Sequence, residues 1–321
     1  MPRIDFPPAA RKSSTSHSYF RQALAVFFGI LLLWSGVATT APAPAGAYAS
    51  VRHAKGLLWK IEKPGVAPSY LFGTIHSDDP RVTALPPPVA GAFKGCKHFV
   101  MEVRIDSDGI DSDGIVRMTQ AMYFSDGRTL EQVIGKTLYG QVVKAFAARG
   151  IRAESVEKQK PWAVLMTLSM PPSKTGEFLD LLLEQRATRL GMTVSGLETM
   201  DEQIAVFNDM PLPDQVALLR ETVATQGDFD KELADLIRAY LARDLADLAE
   251  LSTKHAPGEE QMYRTVMDRL LTRRNARMAE RMRPFLDEGG SFVAVGAAHL
   301  PGATGLLNRL EKAGYRVSSV Y

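Results

Sequence analysis

Two short apolar runs of this chain end in the same way. Ser69-Tyr70-Leu71-Phe72-Gly73-Thr74-Ile75-His76 is β-prone and closes on Gly-x-x-His, and far downstream Ser291-Phe292-Val293-Ala294-Val295-Gly296-Ala297-Ala298-His299 repeats the form. After each comes a turn (Pro86-Pro87-Pro88; Pro301-Gly302), a helical stretch (about 89–94; about 304–313, with Leu306, Leu307 and Leu310 at helical spacing) and another strand-like run (98–103; 315–320). The pattern predicts an α/β fold whose mixed central sheet is built from two repeated strand–Gly-x-x-His–helix–strand units. A short strand over 56–60, turned back at Lys63-Pro64-Gly65, opens the domain as a hairpin. Between the units, apolar residues at i, i+3, i+4 spacing predict helices over 110–123, 129–149, 161–170, 178–190, 200–208, 213–225, 229–254 and 259–285. One strand, 191–198, interrupts them and adds a member to the sheet. A large helical insertion, about 106–288, therefore sits inside a domain covering 50–321.

The amino end has a different pattern. Residues 1–22 are polar and basic, 23–38 are apolar, and small residues and prolines lead to Ala47-Tyr48-Ala49, the form of a signal peptide or an uncleaved amino-terminal membrane anchor over 1–49. The apolar run is shorter than the ~20 residues a permanent spanning helix needs. Either reading exports the rest of the chain, to the periplasm or to the outer side of a membrane held through 23–38. Composition adds little: 321 residues, 45% hydrophobic and 23% charged, can bury a sizeable core, and a net charge of +2 without dense basic patches interleaved with aromatics gives no reason to expect a nucleic-acid partner. The single cysteine, Cys96, excludes an intramolecular disulfide and reads as structural. Asp106-Ser107-Asp108-Gly109 and Asp111-Ser112-Asp113-Gly114 lack the distal glutamate of a calcium loop and read as solvated turns.

The chemistry lies with the two histidines and one carboxylate. Glu102 stands in a run that is apolar on both alternations, so its strand is central, and an unpaired glutamate there would be costly unless it pointed into a polar site. His76, His299 and Glu102 together supply what a catalytic divalent-metal site with an open position requires: neutral nitrogen donors, one anionic oxygen and room for water. Glu102 serves as third ligand or as general base. Asp78 and Asp79, just beyond His76, read as turn residues capping a helix before Pro80 rather than as further ligands.

Leu71-Phe72-Gly73-Thr74-Ile75-His76, Phe99-Val100-Met101-Glu102, Gly196-Leu197-Glu198-Thr199 with Gln203, Arg274-Asn275-Ala276-Arg277-Met278-Ala279 and Val295-Gly296-Ala297-Ala298-His299-Leu300-Pro301-Gly302 occur in a series that resembles the TraB/PrgY/GumN family, related to the TIKI metalloproteases. The resemblance runs from about residue 56 to 317. It implies a metal-dependent hydrolase, a peptidase by similarity to the TIKI enzymes, using a divalent ion (Mn, Co or Zn) and acting on a peptide or protein. It brings three more residues toward the site. Glu198 either reaches the same cavity or caps the helix before Met200, and Arg274 or Asn275 would hold a substrate carboxylate or an oxyanion. The other arginines of that helix read as a solvated face. The chain departs from the family pattern at Arg104 and Arg273, where acidic residues are frequent. Two other classes stay open: a non-catalytic metal or haem binding protein using the same histidines, and an accessory protein of the envelope or of polysaccharide secretion.

Overall fold

A computed structural model describes residues 52–104, 112–171, 175–252 and 260–321. The expected leader, the acidic turn over 106–109 and Asp111 lie outside the described residues, while residues 112–114 of the second expected turn open a helix instead. In chain order, a hairpin of β1 (Leu58–Glu62) and β2 (Ser69–Thr74) leads through α1 (Pro80–Thr83) and α2 (Pro87–Lys94) to β3 (His98–Met101). Both helices carry proline in the first turn, where its missing N–H costs nothing and its fixed φ favours the helix. Asp79 caps α1 by accepting from the Arg81 backbone N–H at 2.8 Å, as expected, while Asp78 accepts from the backbone and hydroxyl of Thr175.

Between β3 and the next long strand lie α3 (Ser112–Met122), α4 (Leu130–Ile134), α5 (Lys136–Ala148), α6 (Pro161–Ser169), α7 (Leu179–Arg189), β4 (Thr193–Gly196), α8 (Met200–Asn208), α9 (Leu212–Ala224), α10 (Phe229–Leu241), α11 (Leu245–Ser252), α12 (Glu260–Met267) and α13 (Arg273–Glu288). A π turn, Asp268–Thr272, joins α12 to α13. The chain closes with β5 (Ser291–Gly296), a 3-10 turn over Ala297–His299, α14 (Leu306–Lys312) and β6 (Arg316–Ser319). Two helices expected whole are each split. Gly135, at φ 79°, divides 129–149 into α4 and α5, and a turn containing Arg243, at φ 58°, divides 229–254 into α10 and α11.

The sheet has the order β4-β3-β5-β2-β1-β6 and is mixed. Strands β4, β3, β5 and β2 pair in parallel, and β1 runs antiparallel to both neighbours. The continuous apolar runs of β2, β3 and β5 suit strands covered on both faces. As expected, β4 joins the sheet, at its edge beside β3. The two strand–turn–helix–strand segments do not occupy equivalent places. One strand separates β2 from β3, whereas two separate β5 from β6, because the opening hairpin inserts β1.

One hydrophobic core follows the sheet, with the rings of Phe93, Phe99 and Phe292 in mutual contact and Phe72 against Phe292. A second core is wholly helical and is built around α6, which is buried on every side and carries Trp162. Met200, the first residue of α8, packs against both cores. Among the described residues no helix is long and apolar enough to cross a membrane.

Candidate active site

The two Gly-x-x-His strands are parallel neighbours, with Gly73 opposite Val295 and Thr74 opposite Gly296. Strand β3 flanks β5 on its other side, with Met101 opposite Ala294. The carboxyl ends of three adjacent strands therefore deliver His76, His299 and Glu102 to one edge, where open α/β sheets present their ligand sites. Glu102 is anchored there: its Oε1 accepts the backbone N–H of Gly296 at 2.7 Å.

The motif glycines have separate steric tasks. A Cβ on Gly73 would lie 2.8 Å from Leu300 Cδ1 and 3.0 Å from the Cα of Ala297, so the first motif is glycine in order that the turn carrying His299 can lie on it. A Cβ on Gly296 would stand 3.3 Å from Glu102 Oε1 and 3.5 Å from His299 Cδ2, within the space the two functional side chains share.

His299 is fully buried, and its tautomer follows from its neighbour. The Asn275 amide donates through Nδ2 to the Thr304 carbonyl at 3.1 Å, which turns Oδ1 toward His299 Nδ1 at 2.6 Å. An acceptor at that distance puts the imidazole proton on Nδ1 and leaves Nε2 a bare lone pair. That Nε2 has no hydrogen-bond partner among the described residues and lies 3.6 Å from Glu102 Oε1. Burial, and then the positive charge of Arg274, hold the His299 pKa well below its usual range, so a proton on Nε2 does not relieve the contact near neutrality. A lone pair facing a carboxylate oxygen at this distance is a pair of donor atoms that a cation or a proton donor could share.

His76 is placed by a different set of residues. Its Nδ1 lies 3.3 Å from Asp180 Oδ2, close but not aligned as a hydrogen bond, and its ring lies on that of Phe178 with centroids 4.7 Å apart. Thr74 Oγ1 donates to Asp180 Oδ1 at 2.7 Å. Burial lowers the His76 pKa to about 3, with Glu102 opposing, and burial raises that of Asp180 to about 7, against the Thr74 hydrogen bond and with help from the Glu102 charge. The contact has the atoms of an ion pair, but desolvation outweighs the attraction and favours both groups neutral. Asp180 was not among the residues singled out in the sequence. Its signal was the one that marked Glu102: a carboxylate set in an apolar run, Phe178-Leu179-Asp180-Leu181-Leu182-Leu183.

Arg274 organises the acidic side. Its Nη2 donates to Glu102 Oε2 at 2.5 Å and to Glu198 Oε2 at 2.7 Å, and its Nε lies 2.9 Å from Glu198 Oε2. Burial works against this guanidinium, but Glu102 and Glu198 more than reverse it, and its pKa is raised. Glu198 is buried beneath Arg274 and Arg277 and does not cap a helix; Thr199 caps α8, in a capping box with Glu202. Gln203 donates weakly to Glu102 and Glu198, at 3.4 and 3.3 Å. Arg277 and Arg281, expected to be solvated, continue the same helix face, Arg277 onto Glu198 and Arg281 onto Glu202 and the Leu197 carbonyl. The π turn ends at Thr272, two residues before Arg274, a placement frequent at functional sites. Arg274 and Asn275 thus have their polar groups engaged with Glu102, Glu198, His299 and the Thr304 carbonyl.

Among the described residues no three His, Cys, Asp or Glu side chains are gathered closely enough to hold a metal ion as they stand. His299 and Glu102 fit as two donors: their 3.6 Å separation is near the about 3.3 Å between ligand atoms of a tetrahedral ion at ordinary bond lengths. His76, close enough for the Glu102 charge to act on it, would have to approach to make the third. Cys96 stands apart, buried at the end of α2 with its thiol pushed up to about 12 by burial.

Comparison with known proteins adds an independent line. The sequence profile of the TraB/PrgY/gumN family matches residues 57–319. Metalloprotease TIKI2 of Danio rerio is 26% identical over 324 residues, covering 84% of this chain and 61% of that protein. Metalloprotease TIKI1 of Homo sapiens is 25% identical over 345 residues, covering 90% and 67%. An uncharacterized protein of Treponema pallidum (strain Nichols) is 22% identical over 308 residues, covering 89% and 90%. The chain thus spans about three fifths of the length of the Danio rerio metalloprotease. No solved structure matches.

Proposed function

We propose, on the premise that this chain belongs to the TraB/PrgY/gumN family, that it is a metal-dependent hydrolase of peptide bonds. The observation that carries this reading is the buried, unpartnered lone pair of His299 Nε2 facing Glu102 Oε1. His299, Glu102 and His76 would hold the ion, and their nitrogen and oxygen donors suit Mn, Co or Zn. Bound there, a divalent ion supplies an acidified water and a Lewis acid for a carbonyl.

The chain's own residues prepare that chemistry. Asn275 keeps the His299 proton on Nδ1, so that Nε2 is available. The Gly296 N–H and the Arg274 guanidinium fix the two oxygens of Glu102, which is placed both to bind an ion and to accept the proton of an attacking water. On this reading Arg274 and Asn275 act by orienting Glu102 and His299, with Glu198 holding Arg274 in place, rather than by touching substrate. The basic flank and apolar run of residues 1–38, the form of a leader, support placing the catalytic domain outside the cytoplasm.

The test is cleavage of a fluorogenic peptide library by protein stripped with chelator and resupplied with Mn, Co or Zn. Turnover should vanish on chelation and return with an ion. In His299→Ala and Glu102→Gln it should fall at least about 100-fold, more than the loss of an outer-shell partner costs. Cleavage unaffected by chelation, or retained in His299→Ala, refutes the proposal. Ion or haem uptake without turnover would instead favour the non-catalytic binder, and neither would favour the envelope accessory role.

A further inference from the structure

We propose that Asp180 is the positioning residue of His76, holding the imidazole proton on Nδ1 and so presenting Nε2 to the metal. The inference rests on the metal-dependent reading above and names a residue outside the motifs that led to it. Asp180 sits in the first turn of α7 with its side chain buried. One carboxylate oxygen, Oδ1, takes the Thr74 hydroxyl at 2.7 Å, and the other lies 3.3 Å from His76 Nδ1. Thr74 ends β2 two residues before His76, so a single carboxylate spans the strand end and the histidine it delivers. Phe178, two residues before Asp180, supplies the ring on which the imidazole lies. The same piece of chain therefore meets the histidine both on its face and at its Nδ1 edge.

Comparison of the two histidines strengthens the assignment. His299 has a side-chain acceptor at Nδ1, the Asn275 amide oxygen, and that acceptor is oriented by its own second bond to Thr304. His76 has Asp180 at the same ring atom, oriented by its bond from Thr74, at 3.3 Å and short of hydrogen-bond alignment. A carboxylate or carbonyl behind a ligating histidine fixes its tautomer and raises its basicity as a ligand. Asp180 is also a costly group to keep. It is buried, within a run that is otherwise apolar. An apolar residue in the run 178–183 would avoid that cost, so the carboxylate needs a reason beyond packing.

The test compares wild type with Asp180→Ala and with Asp180→Leu, which fills similar space without an acceptor and keeps the experiment available if the alanine variant does not fold. Affinity for Mn, Co and Zn is measured by calorimetry. The tautomers of His76 and His299 are read from long-range nitrogen–proton correlation spectra of metal-free, histidine-labelled protein, at one pH for all three proteins. Both variants should bind the ion about 10- to 100-fold more weakly. In both, His76 should lose its Nδ1–H form while His299 keeps its own. The proposal is overturned if the His76 tautomer or the ion affinity is unchanged in both variants, or if Asp180→Leu leaves both at wild-type values, since filling space would then be the whole role. If wild type takes up none of the three ions while the His76 tautomer still follows Asp180, the metal-dependent hydrolase falls and the positioning of His76 stands.

Discussion

At the scale of single residues, the site is a problem in keeping charged groups out of water. Glu102 and Glu198 are both buried, and the Arg274 guanidinium that bridges them is buried as well. Such a triad is poor evidence of net stabilisation, but removing its centre strands two carboxylates in the interior. Arg274→Met should therefore cost about 3–5 kcal/mol, read as a lower urea midpoint at unchanged m value. Stability within 1 kcal/mol or so of wild type would mean that water reaches the carboxylates in solution. Arg274, Glu102 and Glu198 were legible as candidates from the sequence, but their mutual pairing was not. Their separation along the chain is bridged only by folding, and no local pattern encodes which carboxylate a given arginine will meet.

At the scale of elements, what matters is how closely two turns can approach. Strand β2 lies beside β5, and the turn after β5 folds back over Gly73, where Ala297 and Leu300 leave no space for a methyl group. Gly73→Ala should cost about 1–3 kcal/mol by overpacking. It should also reduce ion affinity by displacing the turn that carries His299, whereas an equally destabilising change in the helical core around Trp162 should leave that affinity unaltered. The paired measurement is denaturant unfolding with calorimetric ion titration, and an unchanged affinity in Gly73→Ala would separate the packing of the turn from the site. Most helices were legible from apolar spacing, and so was β4. The breaks at Gly135 and at Arg243 were not, since the spacing continues across each and the turn is decided by what the two halves pack against.

At the scale of the whole molecule, buried histidines make stability depend on pH. The folded-state pKa of His299 is far below the roughly 6.5 expected in an unfolded chain. Below that pH the unfolded state binds a proton that the folded state does not, so stability is full above pH ~6.5 and is lost as the pH falls. His76, lowered to about 3, has the same sign, while Asp180, raised to about 7, has the opposite one: the folded chain keeps a proton that an unfolded Asp releases above pH ~4. Between roughly pH 4 and 6.5 those two cancel, and His299 is left to set this site's share of the slope, near 1.4 kcal/mol per pH unit at most. Urea midpoints across that range should rise with pH in the metal-free protein and rise less in His299→Gln. Equal slopes in the two would show that His299 titrates normally when folded.

The sequence by itself determined the periodicities, and through them the mixed α/β class, most of the helices between β3 and β5 and the two Gly-x-x-His turns, because each is written in residues close along the chain. It also marked Glu102, since a carboxylate in an apolar run must find a polar purpose. Tertiary structure alone decided that β3 and β5 are neighbours while β6 is displaced by the opening hairpin, so that two similar segments take unlike places. It alone decided that Asn275 and Asp180 stand behind the histidines and that Arg274 bridges two glutamates. The physical reason is the same in each case: a buried polar group takes whichever partner the packed core brings within hydrogen-bonding distance, and that partner comes from a distant part of the chain.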